Sequence, residues 1–417
     1  MSPKVKDETM KGEEKRGLVP RLRFPEFRGT GEWKETRLGA VLTFQAGFPF
    51  DSASFTEECK GIRLIRNRDL KSDDKVIFYS SSFDKNYVVN DGDVLVGMDG
   101  DFSPCVWNKG KALLNQRVGK IIPHKGASQR FMYYFLTVHL KAIEEATART
   151  TVKHLSHSDV ERICEPAPTF SEQQRIADCL SSIDELITAE AQYLDTLKTH
   201  KKGLMQQLFP EEGETVPRLR FPEFRGAGEW EAKKLFEECY VNPSNESLPE
   251  TFAYIDLESV VSGKLIIKKN ISRDNAPSRA QRLLKNGDVI YQIVRPYQRN
   301  NFYCNLSDSN HHVASTGYAQ LRSFNNSKFL YQLVHTDDFV NKVITKCTGS
   351  NYPAINSSDL AEIGVVTPKL TEQQKIADCL SSLDDLIALE AQHLDTLKIH
   401  KKGLMQQLFP RLDEVQG

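Results

Sequence analysis

The chain has 417 residues, too many for one hydrophobic core of ordinary size, so two or more domains are expected. Its apolar fraction of 39% excludes a disordered chain, and no apolar run approaches the roughly 20 residues of a membrane span. The formal net charge of -1 argues against a protein that grips nucleic acid by charge alone, unless the cations gather on one face or a partner supplies them.

The first half of the chain contains four successive segments. Residues 1–18 are charged and have no apolar core, which predicts a mobile tail of a cytoplasmic protein and not a secretion signal. A short unit, Val19 to Trp33, leads into body one, residues 34–171. Body one has β-type runs at 75–79 and 93–96 and a helical stretch at 129–146. A long helix is predicted next, with Ser171 as its N-cap.

The second half repeats this order. The unit at 216–230 matches residues 19–33 at 14 of 15 positions, and residues 372–410 match 172–210 at 32 of 39 positions. Body two, residues 231–371, is nearly as long as body one but differs in sequence, with predicted strands at 288–294 and 362–367 and a second N-cap at Thr371. Gly-Asp-Val recurs at 92 and 287, and Ser-Asp at 158 and 358. The bodies are therefore predicted to be one α+β fold that carries two different surfaces.

The two long helices are predicted to form a coiled coil. Seam residues recur in alternating four- and three-residue steps from Ile176 to Leu208, all of them apolar except Glu190 and Lys201, and the second copy repeats them with Glu390 and Lys401 in the same slots. A duplicated unit that rejoins head to tail implies a pseudo-twofold internal repeat with antiparallel helices, making a rod of roughly 50 Å that spaces the two bodies. We expect Glu190 to face Lys401 and Lys201 to face Glu390 in the seam. The alternative is an ordinary amphipathic helix packed on its own domain.

No chemistry is predicted within this chain. The eight cysteines show neither C-x-x-C nor zinc-ligand spacing, and the histidine pairs at 154/157 and 311/312 lack acidic or thiol partners at matching spacing. A phosphate-binding loop and a nuclease carboxylate set are absent from the sequence, and Asn242-Pro-Ser-Asn is not an adenine-methyltransferase motif. We therefore expect no catalytic residue, no cofactor and no metal in this chain.

The repeats resemble the conserved regions of type I restriction–modification DNA specificity subunits. The resemblance is carried by Glu172-Gln-Gln-Arg-Ile-Ala-Asp-Cys-Leu, its copy at 372, the paired Pro-Arg-Leu-Arg-Phe-Pro units, and stretches 60–69, 92–100 and 114–118 of body one. It implies a subunit that reads a bipartite, asymmetric target in double-stranded DNA at a spacing set by the helices. Two methyltransferase subunits using S-adenosylmethionine and restriction motor-nuclease subunits using ATP and Mg are the implied partners. Body two keeps Gly287-Asp-Val but has Arg295-Pro-Tyr-Gln-Arg where body one has Met-Asp-Gly, so contact residues do not transfer between the bodies.

The domain organisation follows from the repeats and the resemblance. Two target recognition domains are joined by two spacer helices and flanked by tails. The predicted ranges are a tail at 1–18, domain one at 19–171, spacer helix one at 172–215, domain two at 216–371, spacer helix two at 372–410 and a tail at 411–417.

Candidate DNA contacts are side chains that read base edges or seek phosphate, on loops or at strand ends. Asp99 and Asp101 are expected to fix a loop or to accept a hydrogen bond from a cytosine amine. The predicted contact residues of body one are Arg63, Arg66, Asn67, Arg68, Asn115, Gln116, Arg117, Lys153 and His154. The predicted contact residues of body two are Arg295, Tyr297, Gln298, Arg299, Asn300, Ser350, Asn351 and Tyr352.

Each of these clusters has a simpler explanation as a solvated strand edge, a scaffold turn or a polar surface loop. Two other functions also stay open at this point. The first alternative is an enzyme with an unrecognised nuclease or methyltransferase site, and the second is a coiled-coil adaptor that binds proteins without reading DNA. Chemistry by the purified chain alone would indicate the first, and the near-neutral charge is compatible with the second.

Overall fold

The computed structural model describes residues 19–147, 154–244, 247–267, 269–306, 310–349 and 352–410; both predicted tails lie outside these ranges. The chain forms two compact units. Unit 1 comprises the residues up to Ala189 and those from Leu394 onward, and unit 2 comprises Glu190–His393. The predicted domain ranges follow the sequence repeats, whereas each compact unit contains part of each long helix.

The α-helices include two of 39 residues at equivalent places in the two halves. Their bounds are α1 Leu38–Val41, α2 Gln129–Thr147, α3 His157–Glu161, α4 Phe170–Leu208, α5 Ser327–Leu333, α6 Asp337–Thr345, α7 Ser357–Ala361 and α8 Leu370–Leu408. Short 3-10 helices are Pro25–Phe27, Ser52–Ser54, Asn67–Leu70, Lys85–Tyr87, Pro222–Phe224, Leu235–Glu237, Arg273–Asn275 and Pro296–Gln298.

The strands are short and divide between the two bodies. In body one they are β1 Lys34–Arg37, β2 Leu42–Ala46, β3 Phe55–Thr56, β4 Ile62–Ile65, β5 Ile77–Tyr79, β6 Val88–Val89, β7 Val94–Gly97, β8 Pro104–Val106, β9 Ala112–Leu114, β10 Val118–Pro123 and β11 Cys164–Ala167. In body two they are β12 Glu231–Lys234, β13 Cys239–Val241, β14 Thr251–Ile255, β15 Val260–Val261, β16 Lys264–Leu265, β17 Lys269–Ser272, β18 Ala280–Leu283, β19 Val289–Gln292, β20 Phe302–Tyr303, β21 His312–Ser315, β22 Tyr318–Ser323 and β23 Gly364–Thr367.

The two bodies share one sheet plan. Each has a four-stranded sheet, in the order β2-β10-β7-β8 in body one and β13-β22-β19-β20 in body two. Each also has a second sheet, five-stranded in body one and four-stranded in body two, containing one parallel pair: β4 with β9, and β14 with β21. The predicted α+β class with two long helices is confirmed, as are the predicted strands in both bodies and the helix beginning at residue 129.

The end of one long helix completes the core of each unit. In unit 1, Leu408 and Phe409 of the C-terminal segment are buried with Trp33, Phe131 and Phe135. In unit 2, the corresponding buried cluster contains Leu208, Phe209, Trp230 and Phe329. Phe409 and Phe209 thus lie inside the cores of units 1 and 2, so these cores anchor the helix ends and set the alignment of the helices.

The helices pair antiparallel within each unit, but the predicted seam register is wrong. Lys401 contacts Asp184 at 2.5 Å in unit 1, and Lys201 contacts Asp384 at 2.6 Å in unit 2, so neither lysine pairs with Glu190 or Glu390. The heptad pattern alone allows several alignments, and the anchored helix ends select this one.

Two predicted helix caps are also wrong by a residue or two. The helices begin at Phe170 and Leu370, which puts Ser171 and Thr371 inside the first turn. Each helix begins two residues after a proline, and the side-chain amide of Gln173 donates to the carbonyl of Pro168 at 3.0 Å. The helix starts are therefore fixed by this turn and not by the hydroxyl residues.

A buried ion pair joins each short unit to the long helix that follows its body. Arg23 donates to both oxygens of Glu172 at 2.7 Å, and Arg220 does the same to Glu372. The carboxylate side chains are 1% and 3% exposed. These fork-to-fork contacts explain why the arginine and the glutamate recur in both copies: each would leave a buried, uncompensated charge without the other.

Candidate DNA interface

The loop after β7 in body one and the loop after β19 in body two are held by the same backbone hydrogen bonds. In body one, the N–H of Met98 donates to Arg117 at 2.9 Å and its carbonyl accepts from Leu155 at 2.8 Å. In body two, Ile293 makes the two equivalent contacts with Gly317 and Ile355, both at 3.1 Å. Three segments therefore meet at this place in each body. In body one they are the end of β7, the turn before β10 and the chain before α3; in body two they are the end of β19, the turn before β22 and the chain before α7.

In body one this place carries a cluster of charged side chains. The carboxylate of Asp99 lies 2.8 Å from the ring nitrogen Nδ1 of His154 and 3.4 Å from a guanidinium nitrogen of Arg117. The amide of Asn67 donates to the backbone carbonyl of Asp99 at 2.8 Å. Gly97 makes this approach possible, since a Cβ there would lie 2.3 Å from the side-chain oxygen of Asn67. The sequence prediction thus named three residues that the fold brings together around Asp99.

The cluster is loosely held on its outer side. The side chains of Arg117 and His154 are 56% and 43% exposed, and the Arg117–Asp99 contact is long for a hydrogen bond. Lys71 lies 2.6 Å from Asp101, and its hydrogen bond lowers the pKa of Asp101 to about 2. Asp101 therefore stays charged at neutral pH, and Arg117 is free to exchange a weak internal contact for an external acceptor.

Three arginines of the predicted contact segments have left-handed backbone. Arg117, Arg295 and Arg299 have φ values of 73°, 55° and 53°, and they are three of the five non-glycine residues with positive φ in the described part of the chain. Such a conformation costs of order 1 kcal/mol or more for a residue with a Cβ. Strain of this kind collects at functional sites, where it fixes the direction of a side chain.

Other predicted residues of body one are held by their own scaffold. Arg63 pairs with Asp73, and its guanidinium carbon lies 4.8 Å from the ring centroid of Trp107. Arg66 donates to both oxygens of Asp69 at 2.9 Å. Asn115 is buried and accepts from the N–H of Gln116. Two further predicted residues, Arg68 and Gln116, have exposed side chains, and Lys153 lies outside the described residues.

In body two the equivalent place carries a stacked pair. The guanidinium of Arg295 lies 4.3 Å from the ring centroid of Tyr352, while the N–H of Arg295 donates to Pro353 at 2.7 Å. Tyr352 and Tyr297 are 66% and 52% exposed as whole residues. An aromatic face beside a fixed guanidinium offers both a stacking surface and a donor edge.

The rest of the predicted set in body two divides as it does in body one. Arg299 donates to Asp337 at 2.6 Å and to the carbonyl of His335, so it anchors the loop. Asn300 accepts from the N–H of Ser262, and Gln298 is exposed while accepting from Gln292. Two more predicted residues, Ser350 and Asn351, lie outside the described residues.

Sequence reasoning missed two neighbours of these loops. Phe48, 43% exposed, pairs its backbone with Asn115 and packs its ring against Tyr87. Lys71 lies beside the Asp99 loop through its contact with Asp101. An aromatic or lysine of this kind carries no local pattern, because only the strand pairing brings it to the loop.

Comparison with known proteins places the chain among DNA specificity proteins. A family model described as the type I restriction modification DNA specificity domain matches residues 30–199 and again residues 240–398. The chain therefore belongs to the type I restriction–modification DNA specificity family, and its two bodies are the two copies of that domain. The sequence resemblance is confirmed.

Individual relatives agree with this assignment. The specificity subunit of the restriction enzyme EcoBI from Escherichia coli is 37% identical over 152 residues, which cover 36% of this chain and 32% of that protein. The MjaVIII specificity subunit from Methanocaldococcus jannaschii is 23% identical over 405 residues, with 93% of both chains covered. A crystal structure of an S subunit from M. genitalium has the same fold, with a TM-score of 0.64 and 18% identity over 95% of this chain and 100% of that one.

Among the described residues, none of the helices is both long and apolar enough to cross a membrane.

Proposed function

We propose that this chain is the non-catalytic DNA reader of a type I restriction–modification complex in the cytoplasm, and that each body reads one half of a bipartite, asymmetric sequence in double-stranded DNA. The proposal depends on one observation: the two bodies share the backbone hydrogen bonds around Met98 and Ile293, here called the backbone cradle, but carry different side chains there. Asp99 and His154 of body one are replaced by Val294 and Ala354 at the same bridge of body two. One scaffold that presents two chemistries suits two different half-sites.

The proposed contacts are the exposed members of each cluster. In body one Arg117 and His154 present donors, with Arg68 and Gln116 on neighbouring exposed turns. In body two Tyr297 and Tyr352 present aromatic faces beside Arg295. The tied arginines then act as scaffold and direct the loops.

Chemistry and most of the charge would come from partners. Two methyltransferase subunits would supply S-adenosylmethionine-dependent methyl transfer, and restriction motor-nuclease subunits would supply ATP- and Mg-dependent cleavage. The net charge of -1 supports this division, since phosphate neutralisation then falls largely on the partners. The connecting helices would set the spacing between the half-sites.

The test uses the chain reconstituted with its methyltransferase partner and a DNA library in which each half-site is varied separately. Arg117→Ala should lower affinity about 10-fold or more and relax one half only, because a good bidentate base contact contributes about 1–3 kcal/mol of discrimination. Tyr352→Ala should relax the other half. Lys141→Ala, which removes an exposed cation on α2, is the matched control and should change neither.

The outcomes distinguish the DNA reader from the adaptor and from the enzyme. If both variants relax the same half, the two-reader proposal is wrong. Sequence-selective binding by the complex that is indifferent to every loop variant would favour the adaptor, and methyl transfer by the chain without a partner would favour the enzyme.

A further inference from the structure

Two carboxylates face each other in the helix pair of unit 2. Glu190 lies in the middle of α4, and Glu390 lies three residues before His393 on α8, so the latter two share one helix face. The ring nitrogen Nδ1 of His393 lies 4.0 Å from a carboxylate oxygen of each glutamate. One ligand atom from each of the three residues lies within 4.8 Å of the others.

This arrangement leaves two acids with little balancing charge. The Glu190 and Glu390 side chains are 22% and 18% exposed. In the described part of the chain, His393 is the only basic side chain within ion-pair distance of either glutamate. Like charges so close repel each other, the more so because both glutamate side chains are only partly exposed to water. A divalent cation would offset both.

The three groups match the ligand chemistry of zinc. Imidazole nitrogen and carboxylate oxygen bind Zn²⁺ at about 2.0–2.2 Å, which puts tetrahedral ligands roughly 3.3 Å apart. The observed separations of 4.0 to 4.8 Å need the ligand atoms to approach one another by roughly 0.7–1.5 Å, within the range of a rotamer change at the glutamate ends. A glutamate followed three residues later by a histidine, completed by a glutamate from a facing helix, is also how helix bundles hold metals.

We propose that Glu190, Glu390 and His393 bind one Zn²⁺ ion or a divalent cation of similar preference, with water as the fourth ligand. The ion would join α4 to α8 in unit 2. The pseudo-twofold repeat does not supply a second site of this kind, because the residue of the first copy that corresponds to His393 is Tyr193. No metal was expected from the sequence, because the third ligand, Glu190, lies 200 residues before Glu390 and only the fold brings it to the other two.

The test is titration of the full-length chain with Zn²⁺ and, separately, with Co²⁺, whose visible absorption reports four-coordinate binding. We expect one equivalent to bind and hydrogen exchange to slow in the helices around 190 and 390. His393→Tyr, which installs the residue of the other copy, should weaken binding more than about 10–100-fold, the usual cost of losing only an outer-shell partner.

His400→Tyr is the matched control, because it removes an exposed imidazole seven residues further along the same helix and should leave binding unchanged. Glu190→Gln and Glu390→Gln should each weaken binding, and circular dichroism checks that every variant is folded. If His393→Tyr binds zinc as the natural chain does, the ion lies elsewhere and the proposal is overturned. Absence of binding by the natural chain at neutral pH also overturns it.

Discussion

The two bodies, here also called heads, differ most in their side chains at the place where their backbone hydrogen bonds are the same. The cradle around Met98 in body one is reproduced around Ile293 in body two, hydrogen bond for hydrogen bond. Yet one cradle is lined by an acid, a histidine and an arginine, and the other by valine, alanine and a stacked arginine–tyrosine pair. The buried ion pairs behind the heads show the reverse pattern, since both residue types are retained in each copy. The residues that hold the fold are thus separate from those that distinguish the heads.

Breaking the retained ion pair should give the largest effect. Arg23→Met leaves the buried Glu172 carboxylate, among the described residues, with the indole N–H of Trp33, 3.3 Å away, as its one remaining side-chain partner. We expect unit 1 to lose about 3–5 kcal/mol, the usual consequence of an uncompensated buried charge. Hydrogen exchange followed by mass spectrometry, read on peptides of each unit, measures it. Arg220→Met should produce the same loss in unit 2.

Two controls sharpen this prediction. Adding Glu172→Gln to Arg23→Met should recover much of the loss, because the buried charge is removed. Arg175→Ala, which breaks an exposed pair with Glu26, should cost under about 1 kcal/mol. An Arg23→Met variant as stable as the natural chain would show that the pair is not what ties the short unit to the helix.

A second difference between the units is a partly buried histidine, His335. His335 donates from Nδ1 to the carbonyl of Tyr331 at 2.6 Å, and its Nε2 lies 3.3 Å from the amide nitrogen of Asn301. The Asn301 oxygen already accepts from Gln292, so its amide donates and the imidazole accepts, as the neutral ring requires. Burial lowers the pKa of His335 to about 4 from an ordinary value of 6.5. At the equivalent position of unit 1, Thr137 donates to the same type of carbonyl.

Acid should therefore weaken unit 2 through this residue. The folded state binds the proton less readily than the unfolded chain, so the stabilising contribution is complete above pH 6.5 and falls as the pH drops toward 4. The loss approaches roughly 3 kcal/mol at the lower end. His335→Thr, which installs the residue of unit 1, should flatten this part of the stability profile of unit 2. His139, whose pKa burial also lowers to about 4, should keep unit 1 acid-sensitive in the same variant. An unchanged pH profile in unit 2 would contradict the assignment.

The sequence predicted those parts of the fold that leave a local pattern. The strand after Gly92 and its counterpart after Gly287 were recognisable as apolar runs behind a turn, and the long helices as heptads. The Asp99, Arg117 and His154 grouping was only partly visible. Residue type marked two of its members as readers, but their convergence depends on strand pairing that no single segment encodes.

Partner choice among charged side chains was beyond sequence reasoning. Arg63 and Arg299 are of a residue type that reads bases, yet each forms an ion pair within its own body, with Asp73 and Asp337 respectively. The seam register failed for the same reason. Lys401 was expected to face a seam glutamate, but the position of its helix is decided by apolar packing several residues away.

The smallest expected effect concerns the two corrected seam contacts, which differ in one neighbour. In unit 1 the Asp184 carboxylate accepts from the hydroxyl of Tyr134, and Lys401 lies 5.3 Å from that ring centroid. In unit 2 Gln332 takes the place of the tyrosine and donates to Asp384. Both ion pairs are partly exposed, so each should couple by no more than about 1 kcal/mol. The ring should add about 0.5–1 kcal/mol in unit 1 alone, because a cation is attracted to an aromatic face.

Double-mutant cycles measure both quantities. Asp184→Asn with Lys401→Met should show a larger coupling energy than Asp384→Asn with Lys201→Met, and Tyr134→Gln should lower the first value to the second. The reciprocal change, Gln332→Tyr, should raise the coupling in unit 2, provided that the ring reaches the lysine. Lys201→Met with Glu390→Gln supplies the control, since these residues do not pair in the structure and should show no coupling. Equal coupling in the two units would mean that the tyrosine acts only as a hydrogen-bond donor, and coupling between Lys201 and Glu390 would restore the register that the heptad pattern suggested.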